Sequence, residues 1–519
     1  MSNTEPGHLP LSSCRTLDES IARGRRLLLS HRHPDGFWWY TLEANDFICA
    51  EYIFLLKYLG LEDPETATGL CRWILSHQNA DGSWSLYHNG PGDISATVEC
   101  YVALKMSGYD PQSVPLKRAR KFILDLGGMS KIRIFSRIHL ALFGLVSWKT
   151  CPNMPVALIQ FPEWAPFNIY EFSSWARTCI VPLLVIMDKK KSVTIPHFDV
   201  EELYLSNNSS EAKWTFDVET GPLSFENVFV QIDRALKIAD KFKVKPLRKQ
   251  SLAKCEKYIR EHLTETEDIF PAMFYGLLAL ISLGYPQNDV HCEKALLGIK
   301  SFQIITSHNK LTHLPSRDST SIDYNVAEKN AADKSHTVYQ QCCISPVWDT
   351  AWASVALLDA GLPTHHSKLI ETARWLMSKQ ITDMRGDWAV KNPQAAPGGW
   401  SFEFNNKHYP DVDDTIEVLT FLHNIDLPYR ELQRSITRGV EWLLSMQCRN
   451  GGFAAFDKNN NLDMLNKLPF SDHGACLDPA TVDITGRLIS FLINTCAYEK
   501  SHPVVQSAAD FIVADQESN

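Results

Sequence analysis

Three carboxylates stand within the short stretch Pro410-Asp411-Val412-Asp413-Asp414-Thr415. The Pro-Asp opening favours a turn, and Asp411 suits the N-cap of a following helix. From Val412 to about His423, apolar Ile416, Leu419 and Leu422 recur at helical spacing, so the spacing predicts a helix with one buried face. Like charges this close cannot all ionise in a low dielectric, so one carboxyl should hold a proton. A protonated carboxyl aimed into an apolar cavity is a general acid. Acidic residues also gather at helix N-termini for the macrodipole alone. The surroundings favour chemistry: Trp348-Asp349, Gly399-Trp400, Phe402, Phe404 and Tyr409 frame a site suited to apolar, cationic species.

The elements that must position these groups read as helix pairs. An amphipathic helix, a Gln, a polar turn and Gly-x-aromatic recur along the chain. One copy runs from Cys71 through Gln78 to Gly82-Ser-Trp84, and another from Gly439 through Gln447 to Gly451-Gly-Phe453. A third runs from Arg374 to Gln380 and reaches Gly386-Asp-Trp388 after a longer turn. A degenerate copy spans Arg25 to Gly36-Phe-Trp38, with Arg32 in the Gln place. The glycine permits the tight turn, and the amide can bond backbone groups left over at helix ends. A second apolar helix follows each copy, as in Thr97–Met106 and Thr350–Ala360. This pattern predicts an all-α fold of helix pairs closed into α/α barrels. Residues 1–20 read as a loose arm, 188–226 as a surface excursion, and 307–339 as a long exposed loop or disordered insertion.

Composition narrows the class. A chain of 519 residues, 45% apolar and 21% charged, has the makeup of a globular protein with room for two domains. Its net charge of −9 argues against a nucleic-acid partner. The 13 cysteines include no Cys-x-x-Cys and no zinc-ligand spacing, which reads as reduced core thiols of an intracellular protein. The start is polar, without a secretory signal. The apolar runs Ile180–Met187 and Met273–Leu283 are too short to cross a bilayer.

The repeats, Asp411-Val-Asp-Asp-Thr415 and Ser345-Pro-Val-Trp-Asp-Thr350 together resemble the squalene–hopene cyclase family of class II terpene cyclases. Trp84-Ser-Leu-Tyr, Val98-Glu-Cys-Tyr-Val-Ala-Leu-Lys105, Asn168 to Arg177, Gly386 to Lys391 and Pro397-Gly-Gly-Trp add to the resemblance, which runs from about 15 to about 516. It implies two α/α-barrel domains, 21–285 and 286–519 with 1–20, and a large apolar cavity. It implies cofactor-free, metal-free cyclisation of a linear polyprene such as squalene to a hopene-type triterpene. Asp413 then matches the proton donor, flanked by Asp411 and Asp414, with Asp349 and Asp463 in the supporting network. Trp348, Phe402, Trp175, Tyr409 and the segment Ile269-Phe270-Pro271 fall at cavity positions, and Glu51 matches a glutamate linked to water at the far end. A membrane surface, met as a peripheral, monotopic protein, and a homodimer complete the expected partners.

Two departures stand out. Lys467 occupies a place where hopene formers carry His, and an ammonium there would favour the Asp413 carboxylate over its protonated form. Phe270 stands where a Gln linked to terminating water is usual. The resemblance further implies more repeats beyond residue 519, so the second barrel is expected to be incomplete. The stripe Val504, Val505, Ala508, Phe511 and Ile512 should then be partly exposed, and the faces near Trp348 and Ile484–Ile493 with it. Competing readings remain open. Asp413-Asp414-Thr-Ile-Glu417 also fits the magnesium motif of ionisation-initiated terpene synthases, and an inactive polyprene-binding remnant is a third reading.

Overall fold

The computed structural model describes residues 16–165, 167–214, 231, 233–234, 236–237, 247–262, 268–307, 310–313, 336–468 and 475–517. Helices dominate, as the apolar periodicity predicts. The chain divides into two compact units: Met1–Tyr40, Ile344–Asn461 and Asp478–Asn519 in the smaller, Thr41–Cys343 and Leu462–Leu477 in the larger. These bounds differ from the expected 21–285 and 286–519. Helix Leu17–His31 packs on Pro346–Asp359 and so belongs with the later part of the chain.

Two kinds of helix alternate. Ile94–Met106 and Phe47–Leu59 are buried along nearly their whole length, whereas Pro64–Ser76 and Val114–Asp125 bury one stripe. The smaller unit repeats the scheme. Pro346–Asp359, Val412–His423 and Val482–Asn494 are the inner helices, with Ser367–Lys379, Tyr429–Ser445 and Pro503–Ala514 as their outer partners. Each outer helix offers a single apolar face, so it can cover only one side of the core. Trp38, Trp388, Trp400, Trp442, Phe421 and Phe453 fill the core between them.

The repeats fasten inner helices to outer ones by a common set of bonds. The Gln78 amide donates to the Gly82 and Pro115 carbonyls, Gln380 to Gly398 and Ser435, and Gln447 to Gly451 and Val504, all at 2.7–3.0 Å. The indoles of Trp38, Trp84 and Trp400 donate to Leu28, Ile74 and Leu376 at the ends of the preceding helices. A threonine of the next inner helix then accepts from the aromatic residue's own N–H: Thr350 for Trp38, Thr97 for Trp84, Thr415 for Trp400 and Thr485 for Phe453. The third copy therefore closes on Gly399-Trp400. Trp388, at the expected position, lies in a short helix, Trp388–Lys391, inserted within the longer turn. Gly36, Gly82 and Gly451 sit at φ of 105°, 91° and 92°, the left-handed region the turn demands.

Other expectations change. The chain is already helical from Leu17, capped by the Thr16 hydroxyl, so only residues 1–15 of the expected arm fall outside the described residues. The stretch 307–339 is not simply a loop. Gln303–Ser307, Lys310–His313 and Thr337–Gln340 pair into a three-stranded antiparallel sheet, while 314–335 lie outside the described residues. In the excursion, 190–214 forms turns and short 3-10 helices, and 215–226 lies outside the described residues. Within the Pro503–Ala514 stripe, Val505, Ala508 and Phe511 are buried, Phe511 against Gly452, while Val504 and Ile512 are half-buried. Ile484, Leu488, Phe491 and Leu492 are buried too, whereas Trp348, Ile489 and Ile493 are half-buried and Val482 and Trp352 exposed.

Candidate active site

The acidic stretch becomes the first turn of Val412–His423, with Asp411 as its N-cap. One oxygen of Asp411 accepts from the N–H groups of Asp413 and Asp414 at 2.7 and 3.2 Å. The turn is pinned from outside as well. Asp411 N donates to the Trp400 carbonyl at 2.7 Å, Val412 N to Ala455 at 2.8 Å, and Thr415 Oγ1 bridges Trp400 N and Asp411 O. The repeat thus sets the carboxylates in place.

Their environments differ. Asp411 is fully enclosed, and burial, reinforced by the nearby Asp413 charge, pushes it up to about 8. Asp414 is deeper still. Neither of its oxygens has a hydrogen-bond partner among the described residues, and burial beside Asp411, Glu403, Asp413 and Asp349 holds it well above the carboxylate range. Asp413 is only partly buried. Burial raises it while Arg487, 2.6 Å away, pulls the other way. The same guanidinium reaches Glu417 at 3.5 Å and lies over the rings of Trp348 and Trp352 at 5.5 and 5.9 Å. Asp349 accepts from Tyr40 N at 2.7 Å and from Ser345 Oγ at 3.1 Å, and burial lifts it to about 6. Buried Asp478, which accepts from the N–H groups of Ala455, Phe456 and Asp457, is pushed to about 7. Burial thus favours the neutral form of Asp411 and Asp414, while Asp413 keeps part of its side chain exposed.

The remaining expected residues fall as follows. Phe402 and Trp348 are half-buried, and the Phe402 carbonyl accepts from Val347 N. Buried Tyr409 donates to Asp387 at 2.8 Å. Asp463 is an exposed residue opening a 3-10 turn of the larger unit, and Lys467 of the same segment is exposed. The cation on Asp413 is Arg487.

The larger unit holds a cavity of ≈ 280 Å³. Apolar side chains dominate its wall, among them Phe47, Phe135, Ile180, Leu183, Ile269 and Pro271, with Trp175 at its edge. Phe270 is completely buried and does not line it; its N–H donates to Cys342 O. Glu51, Glu99, Ser136, Tyr275 and Arg133 bring polarity to the wall. Behind them lies His139, whose Nδ1 is 3.1 Å from Glu99 and 3.5 Å from Glu51 and whose Nε2 is 2.6 Å from the Tyr275 hydroxyl. Burial pushes Glu51 up to about 8 against the opposing pull of His139. Glu51, Glu99 and His139 are also spaced so that their ligand atoms could surround a cation.

Glu403, Arg487, Asp478, Glu99, Tyr275 and His139 escaped the sequence reading. For Glu99 and His139 a signal existed: each is a titratable residue inside an otherwise apolar run. Arg487 follows Thr485, the threonine of the last repeat, by two residues.

The squalene–hopene cyclase N-terminal domain profile matches residues 21–308, and the C-terminal domain profile of the same family matches 344–519. The chain belongs to the squalene–hopene cyclase family. It is 36% identical over 521 residues to the squalene–hopene cyclase of Zymomonas mobilis, covering 99% of this chain and 74% of that protein. It is 35% identical to dammaradiene synthase of Dryopteris crassirhizoma, over 95% of this chain and 68% of that one. The squalene–hopene cyclase of Alicyclobacillus acidocaldarius is 33% identical, over 97% and 74%. In this family member, residues 309–343 fall between the two matched domains, and Ile344, where the second match begins, is also where the chain re-enters the smaller unit.

Proposed function

We propose that this chain is a triterpene cyclase that converts squalene, or a closely similar linear polyprene, into a polycyclic product by protonation. Asp413 is the donor. Its O–H bond breaks, the proton adds to a terminal alkene carbon, and the cation formed is attacked in turn by the next double bonds of the chain. The observation that carries this reading is the division of labour among the carboxylates: Asp411 and Asp414 enclosed and raised, Asp413 partly open. An alkene is a weak base, so the acid must be preorganised and its conjugate base stabilised. Arg487 stabilises the Asp413 carboxylate, and the Asp411 cap fixes the backbone. Relatives named as squalene–hopene cyclases and dammaradiene synthase support the substrate class.

The magnesium reading is less well supported. Asp413 and Glu417 do lie on one helix face, but both already face Arg487, whose charge opposes a divalent ion there. A peripheral membrane site follows from the substrate's insolubility. No helix among the described residues is long and apolar enough to cross a membrane. Exposed Phe161 and Trp164, the latter 85% accessible, offer an apolar loop for one-sided contact.

The test is incubation of detergent-solubilised protein with squalene, followed by mass spectrometry of the hydrocarbons. Cyclic products from the native chain and none from Asp413→Asn, with unchanged circular dichroism, are expected. Normal turnover by Asp413→Asn would overturn the assignment.

A further inference from the structure

Three helices of the larger unit each bring one ligand-bearing side chain to a common point. Glu51 comes from Phe47–Leu59, Glu99 from Ile94–Met106 and His139 from Ile134–Ala141. All three are buried, and their ligand atoms lie within 4.8 Å of one another. His139 Nδ1 is 3.1 Å from Glu99 and 3.5 Å from Glu51. Two donors, each about 2.0–2.2 Å from a tetrahedral ion, stand about 3.3–3.6 Å apart, so both separations are near those of a coordination shell. A second observation points the same way. Glu51 Oε2 is buried without a hydrogen-bond partner among the described residues, and a charged acceptor left so is costly unless a cation meets it. The outer contacts suit an ion too. His139 Nε2 is 2.6 Å from the Tyr275 hydroxyl, and Ser136 Oγ donates to the second oxygen of Glu99. With the Nε2 proton directed at Tyr275, Nδ1 turns a lone pair toward two carboxylates, which repels until a proton or a metal ion enters. Arg133, the basic residue on the same cavity wall, is held by Asp93 at 3.2 Å. Glu51 and Glu99 both line the cavity, which gives an ion a way in.

We propose that Glu51, Glu99 and His139 bind a divalent transition-metal ion of the zinc type, a structural ion that ties the three helices together. One imidazole and two carboxylates suit Zn²⁺ or Co²⁺ better than Mg²⁺, which prefers an octahedron of oxygens and keeps its waters. Two carboxylates, a neutral imidazole and a divalent ion sum to zero charge, the state that burial favours. Any proton held between His139 and the glutamates leaves to solvent as the ion enters. The site belongs to the larger unit, and Asp411, Asp413 and Asp414 to the smaller, so it does not rest on the cyclase reading.

The experiment uses the full chain, stripped with EDTA, dialysed, and titrated with zinc chloride by calorimetry and with cobalt chloride by visible spectroscopy. The tightest class of site should hold one ion per chain. At one equivalent of zinc, X-ray absorption should show nitrogen and oxygen donors at about 2.0–2.2 Å, one imidazole among them, and no sulfur at about 2.3 Å. The cobalt form should likewise lack a thiolate charge-transfer band, which sets the site apart from the cysteines. Glu51→Gln and His139→Gln should each weaken binding by about 100-fold or more, and Tyr275→Phe, which touches only the outer contact, by about tenfold. Zinc in excess should raise the native melting midpoint by several degrees and leave that of His139→Gln unmoved. No binding by the native chain, sulfur in the shell, or equal affinity in native protein and variants would overturn the proposal. Should a substitution unfold the chain, the absorption spectrum of the native protein still decides. Squalene turnover enters none of these readouts, so failure here and failure of the cyclase reading are told apart.

Discussion

Replacing Arg487 by Met removes the positive charge next to Asp413 and keeps most of the side-chain volume over Trp348 and Trp352. At 2.6 Å and an effective dielectric near 20, the bare attraction is about 6 kcal/mol, an upper bound. The charge is shared with Glu417, and the Arg487 and Asp413 side chains keep 30% and 22% of their exposure, so water screens the pair. An opposite charge at this range typically shifts a carboxyl by about 1–3 pKa units. Asp483 on the Arg487 helix, Asp411, Asp414 and Glu417 on the Asp413 element, and Asp349 and Glu403 beside Asp414 are all acidic, so none of these groups replaces the lost cation. The sign follows. A general acid works while protonated, so activity falls as pH rises through the Asp413 value. Loss of Arg487 raises that value, and the alkaline limb of kcat/KM should move up by about 1–3 pH units. Below the limb the variant should be slower, because the donor is now a weaker acid. Arg487→Lys should leave the limb near its native place. The assay is squalene turnover across pH for the three proteins. A limb that stays put or moves down in Arg487→Met would refute the assignment of Asp413 as the donor under Arg487 control.

Asp411→Asn should stabilise the fold at pH 8: Asn keeps the cap oxygen, and the native carboxyl, raised to about 8, gives stability at low pH that is lost between about 4 and 8. Thermal melts should show the variant several degrees higher at pH 8, with the gap closing toward pH 4. Gln380→Ala leaves the Gly398 and Ser435 carbonyls and the Ser435 hydroxyl without their partner and should cost about 1–3 kcal/mol, read by urea unfolding. Gly451→Ala forces a Cβ to within 2.2 Å of the Ser507 carbonyl at a positive φ, so it should destabilise by more than the roughly 1 kcal/mol of a compatible glycine change.

What the sequence makes legible is what local chemistry dictates. The capped acidic helix, the repeats, and their Gln and Gly roles follow from spacing, because caps, turns and amphipathic faces are decided within a few residues. Two readings slipped for a stated reason. Gly386-Asp-Trp388 and Gly399-Trp400 both satisfy Gly-x-aromatic or nearly so, and only the bonds from Gln380 to Gly398 and from Trp400 to Leu376 tell them apart. The strands at 303–313 and 337–340 pair across a long separation, which no window over 307–339 can see. The site shows the same limit. Asp411, Asp413 and Asp414 are adjacent in sequence, whereas Arg487 reaches Asp413 from the inner helix of the next pair, and Glu51, Glu99 and His139 meet from three separate helices.

The repeat explains why the carboxylates sit where they do. Thr97, Thr415 and Thr485 occupy one position in three inner helices, each accepting from the preceding aromatic N–H and donating to the carbonyl four residues earlier. Counting back from that threonine, the cap position holds Asp93, Asp411 and Thr481, and Asp93 caps its helix as Asp411 does, accepting from Ala96 N. Asp411 is therefore first a structural residue, present because an inner helix needs a cap. The two positions between cap and threonine that vary most in chemistry hold Ser95-Ala96, Asp413-Asp414 and Asp483-Ile484. Only in the middle helix do both become carboxylates, and there Arg487 reaches the first of them at 2.6 Å. The proposed acid centre is thus a scaffold position, shared by the repeats, in which two adjacent residues are carboxylates. This makes the loss on Asp413→Asn specific: the bonds of Asp411, Thr415 and Trp400 that hold the turn do not involve the Asp413 side chain, so the helix should stay while the proton goes.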